Sequence, residues 1–145
     1  NYQNLTDLFM YLASRNENFH YIISKNYKKR VIIIDRFIDS TIAYQHYGMG
    51  INKHLIINLN KLILKNIKPN FTFINTVSMK NLKSRINKRP KNRYDKFDHN
   101  FYNKVQKGFI KIAKNRKNYM IINSDHKISD NKKKILNKIK SLLKI

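Results

Sequence analysis

Apolar residues recur along this chain at two spacings, helical and strand-like, and the alternation between them restricts the fold more than any other feature. Between residues 5 and 24, Leu5, Leu8, Phe9, Leu12, Phe19, Ile22 and Ile23 follow a helical period. Val31 to Ile34 is a short unbroken apolar run, predicted to be a buried strand. Leu55 to Ile67 reads as a helix closed by Pro69, and "FTFINTV" (71–77), rich in β-branched and aromatic residues, reads as a strand. A helix over about 79–89 precedes a polar, basic stretch and a further helix with Phe101, Val105, Phe109 and Ile112 on one face. "YMIIN" (119–123) is a predicted third strand, and Ile135, Leu136, Ile139, Leu142 and Leu143 mark a C-terminal helix. Helix and strand in strict turn imply an α/β fold, a parallel sheet with helices on both faces. No internal repeat and no Pro/Gly/Ser linker intervenes, so residues 1–145 are expected to form a single domain.

Composition narrows the function classes. With 145 residues, 41% of them hydrophobic, the chain can bury a real core. It has no cysteine, which excludes disulfides and thiolate metal sites. No apolar run approaches the roughly 20 residues of a membrane span, and the first residues have no signal-peptide pattern, so a soluble cytoplasmic protein without a membrane partner is expected. The net charge of +23 would attract phosphate backbones. Its lysines, however, are scattered through every segment beside abundant Asn and Ile, the mark of a chain-wide residue bias rather than a patch. No nucleic-acid-binding module accompanies them, so no specific nucleic-acid partner is expected. The five histidines (20, 46, 54, 99, 126) lack ligand-like spacing, and no metal-ligating set is expected.

In parallel sheets, ligands bind outside the carboxyl ends of the strands. In "VIIIDRFIDSTIAYQ" (31–45), Asp35 and Arg36 stand just where the apolar run stops. Read locally, they are either a strand-terminal ion pair or cap, or an anion site in which Arg36 presents its planar fork to a phosphate.

The surrounding pattern favours the anion site. "DRFIDSTIAYQ" resembles the thymidylate kinase family, whose members carry DR(F/Y/H) followed by a Ser/Thr and an aromatic at this spacing. "LFMYLASR" is similar to the family's "LLFAAxR" helix, "IKPNFTFINTV" to its "PDLTxxLDV" strand, and "RINKRPKNRYD…FYNKV" to a basic lid followed by "RFE…FxxxV". The four stand in the family's order with matching gaps and cover about residues 5–143.

The resemblance implies a P-loop nucleoside-monophosphate-kinase-like fold, a dTMP kinase of the bacterial type with a basic lid over about residues 85–97, and dTMP, ATP and Mg²⁺ as substrates and cofactor. It implies that Tyr11 stacks on thymine and Arg15 reaches the base, although a surface cation–π contact is the alternative for this i, i+4 pair. Arg36 matches the arginine that holds the monophosphate, Ser40 and Thr41 fall at base-recognition positions, Tyr44 packs on the sugar and disfavours a 2′-hydroxyl, and Gln45 lines the pocket. Arg89 and Arg93 match lid positions that close over the ATP phosphates, with Arg85 supporting them. Asp35 either orients Arg36 or helps hold the Mg²⁺ water shell. The family also implies a homodimer through the N-terminal helices.

The sequence departs from the family where "YQGxGRG" reads "YQHYGMG", and where Asn70, Thr76 and Asn123 replace acids. The largest departure is that no GxxxxGK(S/T) phosphate loop occurs; the glycines are Gly48, Gly50 and Gly108. The family places that loop upstream of the helix with which this chain opens. The expectation is therefore the C-terminal two-thirds of a thymidylate kinase-like domain, inactive by itself, with its N-terminal strands and P-loop outside these residues. A non-catalytic remnant or a basic nucleic-acid-binding module is the competing class.

Overall fold

A computed structural model of the chain describes residues 3–90 and 93–145, with Arg93 described by its backbone alone. The first helix, α1 (Asn4–Asn18), runs on through a π-helical turn at Phe19–Ile23 into a short α2 (Ser24–Asn26). After an extended segment come α3 (Ile38–Thr41), a second π-helical stretch at Ile42–Gly48, and α4 (Lys53–Leu64). Then follow β1 (Thr72–Thr76), α5 (Met79–Asn87), a 3₁₀ turn at Arg93–Lys96, α6 (His99–Ala113), β2 (Tyr119–Asn123) and α7 (Ile128–Leu143). The strands β1 and β2 pair in parallel, with Thr72 opposite Tyr119 and Thr76 opposite Asn123.

The helices form where apolar spacing and caps agree. In α4, Ile56, Asn60 and Leu64 recur every four residues and are all buried. Asn52 caps the helix, its side chain accepting from the His54 and Leu55 amides at 2.8 and 3.2 Å. Lys65 and Asn66, both at positive φ, end it before Pro69. Asp98 caps α6 by accepting from the Phe101 amide, and Ser78 caps α5 by accepting from the Asn81 amide.

Two cores result. Leu8 and Leu12 of α1, Ile42 and Ala43, Ile56, and Phe101, Val105 and Ile112 of α6 form the larger. Phe19, Ile23 and Leu64 form the smaller, with Ile32, Phe37 and Ile38 packed on it. Leu8, Ile56 and Leu64 are fully inaccessible, and burial of each contributes about 1.5–3 kcal/mol.

The structure corrects one element. Val31 to Ile34, predicted to be a buried strand, is extended but pairs with neither β1 nor β2. Val31 is 65% exposed and Ile33 86%. A strand exists only against a neighbour's backbone, and no described segment supplies one. Among the described residues no helix is long and apolar enough to cross a membrane.

Gly108 marks a close approach of α6 to the π-helical stretch. A Cβ there would lie 2.5–2.9 Å from the Cδ2, Cγ and Cβ atoms of Tyr47. Gly108→Ala is expected to destabilise the fold by about 1–3 kcal/mol through overpacking. Urea denaturation checks this; an unchanged midpoint would show that Tyr47 can move aside.

Candidate active site

The site begins with the turn after the extended segment. Arg36 adopts φ 62°, in the left-handed region that a side chain with a Cβ rarely enters. Such a residue persists only where its surroundings hold it, and here they do. Its guanidinium lies over the Tyr44 ring, 5.2 Å from the centroid. Desolvation lowers the Arg36 pKa, but the Tyr44 phenol, Asp35 and Tyr11 more than offset this and leave it above its ordinary value. The backbone that follows is fixed as well, because the Phe37 carbonyl accepts from Arg15 at 3.2 Å.

The structure thus brings Tyr11, Asp35, Arg36 and Tyr44 together on an exposed face. Tyr44 is half-buried, edge-on to Tyr94, Phe101 and Phe109 at 5.2, 6.0 and 6.3 Å. Ser40 lies half-buried in the first turn of α3, its amide donating to the Phe37 carbonyl.

Other predicted residues face inward. Arg15 is 8% exposed and donates to Asn60 Oδ1 at 2.8 Å and to Thr41 Oγ1 at 2.8 Å. Burial lowers its pKa to about 10, so it stays protonated at neutral pH. Arg15 and Thr41 satisfy each other in the interior, whereas Tyr11, four residues away, is 42% exposed. Gln45 is 2% exposed, and its amide donates to Asp7 Oδ2 at 2.9 Å and to the Tyr94 hydroxyl at 3.3 Å.

In the stretch predicted to be a lid, Arg89 forms a two-pronged pair with Asp95, both contacts at 2.9 Å, and donates to the Pro90 carbonyl. Asp95 also accepts from the Tyr102 hydroxyl, whose pKa is pushed up by burial and by Asp95 itself. Arg85 donates to the Ser124 carbonyl at 2.7 Å, at the carboxyl end of β2. There Asp125 accepts from Ser78 and Asn81, and those hydrogen bonds, Asn81's foremost, hold its carboxyl below the usual range. The predicted role of Arg93 falls on a side chain outside the described ones. Among the described residues no three His, Asp or Glu side chains gather as a metal site.

Asp7, Asn60, Tyr94 and Asp95 belong to these contacts without having been singled out; Tyr94 and Asp95 lie in the quoted "RYD", whereas Asp7 and Asn60 lie outside the quoted motifs. Asn60 was readable too, as a polar residue at a core position in "LIINLNKLIL".

The comparisons with known proteins bear on this geometry. The sequence model described as "Thymidylate kinase" matches residues 1–135. The chain belongs to the thymidylate kinase family. The thymidylate kinase of Anaplasma phagocytophilum (strain HZ) is 39% identical over 119 residues, 81% of this chain and 52% of that protein. That of Wolbachia pipientis wMel is 42% identical over 115 residues, 78% of this chain and 57% of that protein. The crystal structure of thymidylate kinase from Ehrlichia chaffeensis superposes with a TM-score of 0.73 at 33% identity, covering 96% of this chain and 66% of the other. This chain therefore has the P-loop nucleoside-monophosphate-kinase fold of that family, and it spans about half the length of the curated relatives it matches.

Because Arg36 sits at φ 62°, glycine there relieves backbone strain that alanine keeps. Arg36→Gly is expected to be about 1 kcal/mol more stable than Arg36→Ala. Paired thermal melts check this; equal melting temperatures would mean that the turn relaxes once the guanidinium is gone.

Proposed function

We propose that these residues form the monophosphate-binding side and lid of a dTMP kinase, which transfers the γ-phosphoryl group of Mg-ATP to dTMP. The observation that carries the reading is Arg36, strained, exposed and charged at the end of the extended segment, its guanidinium over the Tyr44 ring, in a chain of the thymidylate kinase family. Its fork suits the acceptor phosphate, and Tyr44 beneath it suits the sugar. Arg85, Arg89 and Arg93 stand in the lid to neutralise the ATP phosphates, and Asp35 to orient Arg36. Phosphoryl transfer gives a protein little covalent work, so this chain's part is to bind, orient and neutralise. Mg²⁺ would neutralise the transferring phosphates. The described residues gather no site for it, so it would come with ATP. Leu5 and Phe9, 45% and 51% exposed and four residues apart on α1, support a homodimer through the N-terminal helices.

The 145-residue chain, which contains no phosphate loop, is expected to form no dTDP. Joined to the upstream segment of the Ehrlichia chaffeensis relative, it is expected to do so with ATP. In that chimera, Arg36→Ala should cost about 1.5–3 kcal/mol of dTMP binding, roughly 10- to 100-fold in KM, with the ATP KM little changed. Tyr44→Ala should relax discrimination against the ribonucleotide. Turnover by the chain alone would overturn the first expectation, and an Arg36→Ala enzyme with unchanged dTMP kinetics would remove Arg36 from the site. Salt-sensitive binding to DNA of any sequence, without dTMP binding, would favour the basic module instead.

A further inference from the structure

Behind the Arg36 face lies a buried polar cluster that the proposed chemistry does not use. The Asp7 carboxyl, 3% exposed on α1, accepts from the Tyr94 hydroxyl at 2.8 Å and from the Gln45 amide at 2.9 Å. Gln45 donates to the Tyr94 hydroxyl as well, so the three side chains close a ring. A buried carboxyl is costly unless donors meet it, and once met it fixes them in turn.

What the cluster fixes is the wall beneath Arg36. Gln45 adjoins Tyr44 in the π-helical stretch, where the Tyr44 carbonyl accepts from Met49 and the Gln45 carbonyl from Ile51. Tyr94 meets the Tyr44 ring at an interplanar angle of 79°, and is itself backed by Phe97 and Phe101. Tyr44 therefore cannot turn without displacing Tyr94, and Tyr94 cannot turn without leaving Asp7. The same Tyr44 ring carries the Arg36 guanidinium, 5.2 Å from its centroid.

We propose that Asp7 and Tyr94 are positioning residues for the monophosphate subsite: by locking Tyr44 from behind, they set the direction in which Arg36 presents its guanidinium. This rests on the dTMP reading of the site. Because Tyr94 belongs to the 3₁₀ turn inside the predicted lid and Asp7 to α1, the lock also couples lid placement to the acceptor side.

The test uses two variants and two measurements on this chain. Tyr94→Phe deletes one oxygen and keeps the ring; Asp7→Asn keeps the shape and alters the acceptor. The first measurement is ligand-free NMR of the Arg36 Nε–H group. In the parent a dispersed, slowly exchanging signal is expected; in both variants it should move towards the solvent-averaged position. The second is calorimetric titration with dTMP and, separately, ATP. A loss of about tenfold in dTMP affinity is expected in Tyr94→Phe, with ATP affinity unchanged. A cluster that only ties α1 to the turn before α6 would lower the melting temperature and leave the Arg36 signal and dTMP affinity alone, and that result overturns the proposal. Should Asp7→Asn fail to fold, Tyr94→Phe decides by itself. Should the parent bind no dTMP, the monophosphate reading falls, while the Arg36 signal still decides whether the lock exists.

Discussion

The molecule is organised around one buried cation. Arg15 lies in the interior and shares its donors among Asn60 of α4, Thr41 of α3 and the Phe37 carbonyl. A guanidinium removed from water costs several kcal/mol unless its donors are matched, and leaving one acceptor out would expose that cost at once. Three elements from distant parts of the chain are therefore held in one arrangement, with little freedom to slide. The constraint reaches the surface through Phe37. Its carbonyl is pinned from inside, and the residue before it, at positive φ, is Arg36. The residue argued to meet the phosphate thus stands one position before a carbonyl that a second, buried arginine holds.

Side-chain pattern made part of this legible beforehand and backbone geometry hid the rest. The strand at 119–123 and the helix bearing Phe101, Val105 and Ile112 follow from apolar spacing, because burial of those side chains is what forms them. The run 31–34 has the same apolar character yet is no strand, since pairing depends on a neighbouring backbone that spacing does not report. The π-helical stretch at Ile42–Gly48 was equally invisible. Its widened turn arises from packing, and it sends Gln45 inward to Asp7 while its neighbour Tyr44 stays half-buried beneath Arg36.

The candidate site divides along the same line. Family pattern picked out Arg36 and Tyr44, whose chemistry faces outward, and the structure puts them in contact. It also picked out Arg15, Thr41 and Gln45, and here side-chain type alone does not say which way a residue points. Arg15 and Tyr11, separated by one helical turn, diverge because Asn60 and Thr41 offer Arg15 buried acceptors. No comparable buried acceptor draws the Tyr11 phenol inward in the described contacts, and it stays near Arg36.

The predicted lid adds a contrast in electrostatics. Despite a net charge of +23, its described arginines are not simply solvated: Arg89 is held by Asp95, whose side chain is 1% exposed, and Arg85 by a carbonyl at the end of β2. Asp95 cannot follow an arginine that swings away, because Tyr102 and its own burial keep it in place. The Arg89 side chain remains 45% exposed, so its attraction to Asp95 is shared with water and screened by salt. A triphosphate offers the same planar fork more charge than one carboxylate does. The ion pair therefore holds Arg89 in place at modest cost, and under the proposed reading a phosphate would replace the carboxylate without first having to order a free side chain.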